Sequence, residues 1–250
     1  PGAFRANVLY KCSNMDHPLF EIVTTTMGVK SIRNKRVNEI MHNPVGPWAE
    51  ANALYIHQSR LAERLSRPGP ELVLFDVGLG AAANALAALH AGKGAPRGLR
   101  IVSFEREMEL LRYAFKSADQ FPHFEPFTGA VSELLSRGSW SEGNLSWELR
   151  EGDFRQKILE EKYKPELIYF DPYSSKVNRE MWAVDCFRSL RRVCREEGTL
   201  LYTYSQATPV RVALLAGGFF IGRGPASGPK EETTIAATRY RGRSSARVRV

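Results

Sequence analysis

The sequence predicts an α/β fold: a seven-stranded, mostly parallel sheet with an antiparallel hairpin at its carboxyl-terminal edge, preceded by a small β-meander and a helix. Three observations predict it. From residue 71 onward, short apolar runs alternate with helix-period stretches at the spacing of βαβ units. Two of those runs, Leu74-Phe75-Asp76 and Tyr169-Phe170-Asp171, end abruptly in a carboxylate. In open α/β sheets such carboxyl ends form the ligand-facing edge. The last two apolar runs follow one another with only the Gly- and Pro-rich 224–229 between them. That connection permits antiparallel pairing and leaves no room for a crossover helix.

Composition bounds the function. The chain has 250 residues, 43% hydrophobic and 25% charged, enough for one α/β unit with a full core. No apolar run approaches the ~20 residues of a membrane span, so no membrane role is expected. Cys12, Cys186 and Cys194 stand in no metal-ligand spacing, and the five histidines are scattered. No metal site is predicted, and a reduced, cytoplasmic setting is expected. The net charge of +8 is clustered in Lys30, Arg33, Lys35 and Arg36, and again in Arg239, Arg241, Arg243, Arg247 and Arg249. Clustered cations of this kind suit the phosphate backbone of a nucleic acid.

Element by element, residues 20–40 alternate polar and apolar in short pieces, with Gly28 and Asn34 at turns, and predict the meander. Pro47 opens a helix over about 47–65 with Ala51, Leu54, Tyr55 and Leu61 on its apolar face. These make an amino-terminal extension, 1–66, closed by Arg67-Pro68-Gly69-Pro70. The main unit, 71–238, holds strands at 71–77, 99–104, 147–151, 166–171, 198–204, 218–223 and 232–238. Its helices are expected at 82–92, 106–118, 154–162, 178–196 and 208–216. Residues 119–146 form a polar, Gly/Ser-rich insert, and 239–250 a basic tail.

The strand ends carry the chemistry. Phe75-Asp76-Val77-Gly78-Leu79-Gly80 leads into Ala81 to Ala83, a strand, glycine loop and helix start. Gly78 and Gly80 allow backbone to approach a ligand, and the spacing to Ala83 also fits a dinucleotide fingerprint. Asp76 argues against a pyrophosphate there, because a phosphate needs bare N–H groups. It suits a cation such as a sulfonium or an amino-acid ammonium. Glu105, closing the next strand, is placed to accept both hydroxyls of a ribose. Asp153 is a candidate for binding an adenine amino group, and Phe154 for covering the ring; a helix N-cap is the alternative for Asp153. Asp171-Pro172-Tyr173 offers an acceptor oxygen to orient an amine N–H, and an aromatic ring to stack on a base.

The order of these features resembles the Rossmann-like S-adenosylmethionine methyltransferases. Four stretches resemble more narrowly the MnmD methyltransferase family, also found as one half of bifunctional MnmC. They are Asn38 to Asn43 with Gly46 to Ala51, the glycine loop, Ile168 to Trp182, and Gly198 to Ser205 with Val210-Arg211, Ala216 to Phe219 and Gly228 to Glu231. The resemblance implies S-adenosylmethionine as cofactor, held by Asp76, Gly78, Gly80, Glu105, Asp153 and Phe154. It implies methylation of the aminomethyl nitrogen on carbon five of wobble uridine in tRNA, with Asp171 as the catalytic acceptor. Substrate would be met by Pro172, Tyr173, Trp182, His42 and Glu50, and its phosphates by Lys30, Arg33, Lys35, Arg36 and Lys230. Separate enzymes would supply the aminomethyl precursor, since a chain of this length leaves no room for a flavin oxidase half. Pro172 stands where the family usually has glycine, and the 224–230 loop is less basic than the family's. The alternatives are a methyltransferase for another amine (an exocyclic base amine or a protein), a nicotinamide-dependent oxidoreductase, and a non-catalytic RNA-binding module.

Overall fold

The computed structural model describes residues 17–41, 44–224 and 232–240. Cys12, His42, Lys230 and the arginines beyond Tyr240 lie outside them. The meander is β1 (Phe20–Thr24), β2 (Lys30–Asn34) and β3 (Glu39–Ile40), an antiparallel sheet in that order. Gly28 takes φ +77° in its first turn. Phe20 and Ile32 are buried and join the core under the main sheet.

The expected single helix over 47–65 is broken into three pieces. Helix α1 (Pro47–Ala51) starts on its proline, a π-helical turn spans Asn52–His57, and α2 (Leu61–Leu65) follows Arg60 in left-handed conformation at φ 56°. The wider π turn buries three consecutive side chains, Leu54, Tyr55 and Ile56. A regular α-helix at ~100° per residue spreads consecutive side chains off a narrow apolar face.

The main sheet has eight strands rather than seven. In chain order come β4 (Leu72–Val77), α3 (Ala83–Gly92), β5 (Leu99–Glu105), α4 (Glu109–Lys116), α5 (Thr128–Arg137), β6 (Ser139–Glu142), β7 (Leu145–Glu151) and α6 (Phe154–Glu160). There follow β8 (Leu167–Phe170), α7 (Val184–Val193), β9 (Leu200–Thr203), α8 (Thr208–Ala216), β10 (Phe220–Gly224) and β11 (Thr233–Ala237). The strand order is β10-β11-β9-β8-β4-β5-β7-β6. The run β9-β8-β4-β5-β7 is parallel, β11 pairs antiparallel with both β9 and β10, and β6 antiparallel with β7.

The extra strand and α5 lie in the stretch read from sequence as a polar insert. The signal was present: Glu142 pairs with Leu145 around Gly143-Asn144, and Gly143 has φ 59°. A two-residue loop with glycine at positive φ is the hairpin turn that matches strand twist. Strand β6 is polar because only Trp140 of its four residues is buried.

The central strands β4, β8 and β9 are buried on both faces, which is why they read as continuous apolar runs, whereas β7, next to the edge, buries only Leu145 and Trp147. On β4, Leu72 and Leu74 face a core shared with α2, α3 and α5, whereas Phe75 and Val77 face one shared with α6, α7 and α8. Cys186 and Cys194 are free and buried in the second core. The chain passes from β4 outward to β5 and β7, then returns to β8 on the other side of β4. That reversal opens a crevice at the carboxyl ends of β4 and β8, where open α/β sheets bind ligands.

The opposite end of the sheet is tied by Glu166, whose carboxylate meets Arg64 at 3.0 Å, Arg97 at 2.6 Å and Arg195 at 3.3 Å. Burial pushes the Glu166 carboxyl up, but hydrogen bonds and charges from Arg97 and Arg64 outweigh it and hold the group below the ordinary glutamate value. A depressed folded pKa gives stability that is present above the unfolded value and lost as pH falls through the folded one. Glu166→Gln is therefore expected to cost about 2–4 kcal/mol near neutral pH. Urea unfolding at pH 7 and pH 3.5 tests it: the gap from wild type must shrink at the acidic pH.

Candidate functional site

The carboxyl ends of β4, β5, β7 and β8 surround a cavity of about 570 Å³, within the range of small-molecule sites. Its floor is a junction of two loops. Gly78 at φ +90° lies so close to the β8 end that an added Cβ would sit 2.7 Å from the Asp171 carbonyl oxygen and 2.9 Å from Pro172 N. Glycine is needed here for the neighbouring chain as well as for any ligand. The Asp171 N–H donates to the Val77 carbonyl at 2.8 Å, which continues the β4–β8 pairing into the loop.

Asp171 stands at the centre. Asn84, in the first turn of α3 and 6% exposed, donates from Nδ2 to Asp171 Oδ2 at 2.8 Å. Burial pushes the Asp171 carboxyl up to about 7; the Glu50 charge adds to this, and contacts with Asn84 and Tyr55 oppose it. Glu50 lines the same cavity. The Tyr55 hydroxyl is buried, without an aligned hydrogen-bond partner, and faces Asp171, whose charge with that burial raises its pKa. Tyr204 also lines the cavity and donates to the Pro172 carbonyl at 3.1 Å.

On the other side, Glu105 closes β5. Its Oε2 accepts from Gly80 N–H at 2.9 Å, and its Oε1 from the N–H groups of Arg106 at 2.8 Å and Glu107 at 3.1 Å. Three backbone donors fix the carboxylate, which lines the cavity and keeps about one acceptor site open. Burial raises its pKa, and the Gly80 bond works against the rise. Phe154 packs edge-on against Phe104 at 5.1 Å and forms part of the cavity wall. Asp153 also lines the cavity, but it is the N-cap of α6: Oδ1 accepts from Arg155 N–H at 2.9 Å, and the Arg155 guanidinium pairs with both its oxygens.

The meander roofs the cleft. Asn34 Nδ2 donates to the Tyr173 hydroxyl at 3.0 Å, and Ser174 Oγ donates to Glu39 Oε1 at 2.8 Å. Arg36 lines the opening. Of the other four cations expected for phosphates, Lys230 is outside the described residues and three are on the meander but not in the wall. Arg33 pairs with Glu21 at 3.0 Å, Lys30 Nζ donates to Thr24 Oγ1 at 2.9 Å, and Lys35 Nζ to the His17 carbonyl at 2.9 Å.

Two expected cavity residues are elsewhere. Asp76 is fully buried inside β4, beneath the floor. Its Oδ2 accepts from Ser103 Oγ at 2.8 Å, and Ser103 Oγ accepts from Trp147 Nε1 at 2.8 Å. Burial pushes its carboxyl up to about 7, despite the Ser103 bond. Trp182 is also core, 5% exposed between Phe170 and Tyr204. Its indole N–H donates to the Tyr173 carbonyl at 2.8 Å, so it braces the loop and forms no part of the cavity wall. Pro172 and Tyr173 do line the cavity. Sequence reasoning missed Asn84, Tyr55, Tyr204 and Asn34. For Asn84 a signal exists: it is the one polar residue in the run Ala81 to Leu89.

Among the described residues no group of three or more His, Cys, Asp or Glu could hold a metal ion, and no helix is long and apolar enough to cross a membrane.

The profile of a family described as S-adenosyl-L-methionine-dependent methyltransferase matches residues 131–239. The chain is 27% identical over 220 residues to the tRNA 5-methylaminomethyl-2-thiouridine biosynthesis bifunctional protein MnmC of Cupriavidus metallidurans, covering 80% of this chain and 31% of that protein. It is 28% identical over 177 residues to the protein of the same name from Polaromonas naphthalenivorans, covering 65% of this chain and 27% of that protein. The chain thus spans about a third or less of these relatives' length. The crystal structure of MnmC2 from Aquifex aeolicus superposes with a TM-score of 0.72 at 27% identity, over 90% of this chain and 72% of that one. These matches displace the nicotinamide alternative. The cavity fits the cofactor: an acid held on backbone N–H groups and an apolar wall at Phe104 and Phe154 suit a nucleoside. Residues 131–239 thus match an S-adenosyl-L-methionine-dependent methyltransferase family, and the chain is similar over most of its length to MnmC2 and to a part of MnmC.

Proposed function

We propose that this chain methylates the aminomethyl nitrogen on carbon five of wobble uridine in tRNA, giving methylaminomethyl-uridine or its 2-thio form. One observation carries the reading: the carboxylate of Asp171, oriented by Asn84, faces a cofactor-sized cleft that it shares with a second carboxylate, Glu50. Such a site accepts N–H bonds and welcomes a positive charge, as an amine acceptor demands. The names of the relatives, which denote 5-methylaminomethyl-2-thiouridine biosynthesis in tRNA, agree.

S-adenosylmethionine, when bound, supplies an electrophilic methyl group on a sulfonium. Glu105, with Gly80 behind it, holds the ribose; Phe154 and Asp153 flank the adenine. Asp171 accepts an N–H of the substrate amine and so directs the nitrogen lone pair. Tyr173, fixed by Asn34 and by Trp182, offers a ring for the uracil. Direct displacement asks for positioning and exclusion of water more than for covalent help. Arg36 at the opening, and Lys30, Arg33 and Lys35 on the roof, meet phosphates. Residues 71–238 form the catalytic unit, with 1–66 as its amino-terminal extension, whose meander roofs the cleft, and 239–250 as a basic tail. A tRNA substrate whose aminomethyl group is installed by a separate enzyme goes with a cytoplasmic location.

The test is transfer of labelled methyl from S-adenosylmethionine to tRNA bearing aminomethyl-uridine, beside an unmodified transcript. Label on the modified tRNA alone is expected. Label on both would move the target atom elsewhere in tRNA; label on neither, with cofactor bound, would discard the substrate.

A further inference from the structure

We propose that the end of the sheet opposite the cleft carries a second contact for RNA. There an open hollow is lined by Lys164, Arg191, Arg192, Arg195 and Arg239, which bind backbone phosphates of the tRNA away from the nucleotide that enters the cleft. The inference rests on the tRNA reading above and extends it to a surface that reading leaves unused. The cations come from three separate segments. Lys164 precedes β8, Arg191 and Arg192 lie in the last turn of α7 with Arg195 just beyond it, and Arg239 follows β11. Two threonines tie these segments together. Thr199 Oγ1 donates to the Pro165 carbonyl at 2.7 Å and accepts from the Arg195 N–H at 3.0 Å, and Thr238 Oγ1 accepts from the Thr199 N–H at 2.8 Å. A helix C-terminus favours cations, which accounts for Arg191 and Arg192. It accounts for neither Lys164 nor Arg239.

Two of the arginines are held in place. Arg191 donates to the carbonyls of Gly218 at 3.2 Å and Thr238 at 3.3 Å, and Arg195 meets Glu166 at 3.3 Å and Glu197 at 3.6 Å. Lys164, Arg192 and Arg239 are exposed, and have no hydrogen-bond or ion-pair partner among the described residues. The acids at hand are Glu196, which lines the hollow, Glu197, and Glu166, which Arg64 and Arg97 already share. The rest of the chain cannot cancel the excess. Outside the described residues the only acids are Asp16 and Glu231. Asp16 adjoins His17, which meets Glu109 at the start of α4, and Glu231 adjoins Glu232, which pairs with Arg211 and Arg223; both neighbours are at the cleft end of the sheet. Residues 241–250, which continue from Tyr240, hold four arginines and no acid.

Lys164 and Asp171 flank β8 at its two ends, so hollow and cleft are about 20 Å apart at ~3.3 Å per residue. A nucleoside in the cleft cannot span that gap, whereas a folded tRNA carries phosphates all along its backbone. Guanidinium groups suit phosphate oxygens in geometry as well as charge, and each phosphate neutralised releases counterions.

The test is binding of an unmodified tRNA transcript between 50 and 200 mM salt, to wild type and to the triple variant Lys164→Ala, Arg192→Ala, Arg239→Ala. Cofactor affinity and Tm are measured alongside. The expected result is tRNA affinity lowered about 10- to 50-fold at about 0.1 M salt, and a slope of log K against log salt reduced by about 3, with cofactor affinity and Tm unchanged. A second triple variant, Lys93→Ala, Lys116→Ala, Arg137→Ala, makes the same change in net charge elsewhere on the surface, and should stay within about threefold of wild type. An equal loss in both variants overturns the inference, because long-range charge alone would then explain it. Unchanged affinity and slope in the first variant also overturn it, and binding of inorganic phosphate to the hollow would then mark a small-anion site. The readout does not depend on which atom is methylated. Wild type that binds tRNA no better than the first variant removes this contact alone; wild type that binds no tRNA removes the substrate reading with it.

Discussion

Asp171→Asn is expected to lower kcat about 10²- to 10³-fold while cofactor affinity stays near wild type. The substitution preserves shape and keeps an oxygen for the Asn84 amide, so the fold and the Glu105 side of the cleft stand. It removes the charge that receives the amine, and positioned acid–base groups are worth about that much. The same substitution has a stability signature of opposite sign. The folded pKa of Asp171 is about 7, well above the unfolded value near ~3.9. A group raised in this way binds its proton more tightly when folded. Its favourable contribution is complete below the unfolded value and is lost as pH rises through the folded one. Asp171→Asn is therefore expected to be more stable than wild type at pH 8, by on the order of 1–2 kcal/mol, with the gap closing by pH 4. Urea unfolding at the two pH values, with single-turnover methyl transfer, reads both effects. A variant that turns over normally, or that is less stable at pH 8, would remove Asp171 from the role assigned to it.

Gly78→Ala is expected to be the most damaging single methyl group. Its backbone sits at φ +90°, and the new Cβ would lie 2.7 Å from the Asp171 carbonyl oxygen, a contact with main chain that no rotamer relieves. Left-handed strain and the clash add, for a loss of about 3 kcal/mol or more. That corresponds to roughly 6–12 °C in Tm for a chain of this size. Because the displaced peptide carries Asp171, methyl transfer should fall even in the fraction that folds. Gly129 in α5 is the control: it has no left-handed φ, and an added Cβ there meets nothing within 4 Å. Gly129→Ala should be neutral or stabilise by up to ~1 kcal/mol. Equal Tm values for the two variants would contradict the account of the loop junction.

The parallel run and the carboxyl-edge cleft were legible because they follow from local pattern. Strands buried on both faces must be apolar throughout, and a polar residue can enter only where the strand ends. Asp171, Glu105, Pro172 and Tyr173 were found in this way, and the structure brings all four to one cavity. Strand β6 was missed because it is a polar edge strand: only its Gly143-Asn144 turn announces it. The π turn at Asn52–His57 was invisible too, since its apolar residues fit an ordinary helix equally well.

Asp76 and Asp171 measure the limit most clearly. Both follow an aromatic residue at the end of an apolar run, and by sequence they are equivalent. In the sheet Asp76 pairs with Tyr169, still inside the ladder, and its side chain goes down to Ser103. Asp171 comes one residue after the last pair, Val77 with Phe170, and is free to face the cleft. Asn84, which aims it, lies 87 residues away along the chain. The sequence by itself determined the fold class, the edge that binds ligand and the kinds of group gathered there, because these depend on hydrophobic period and strand ends. Only the tertiary structure decided which carboxylate reaches the cavity and which is sealed beneath it. The two carboxylates point to the same face, two residues apart in register, and it is the pairing of β4 with β8 that keeps the first inside the ladder and carries the second beyond it.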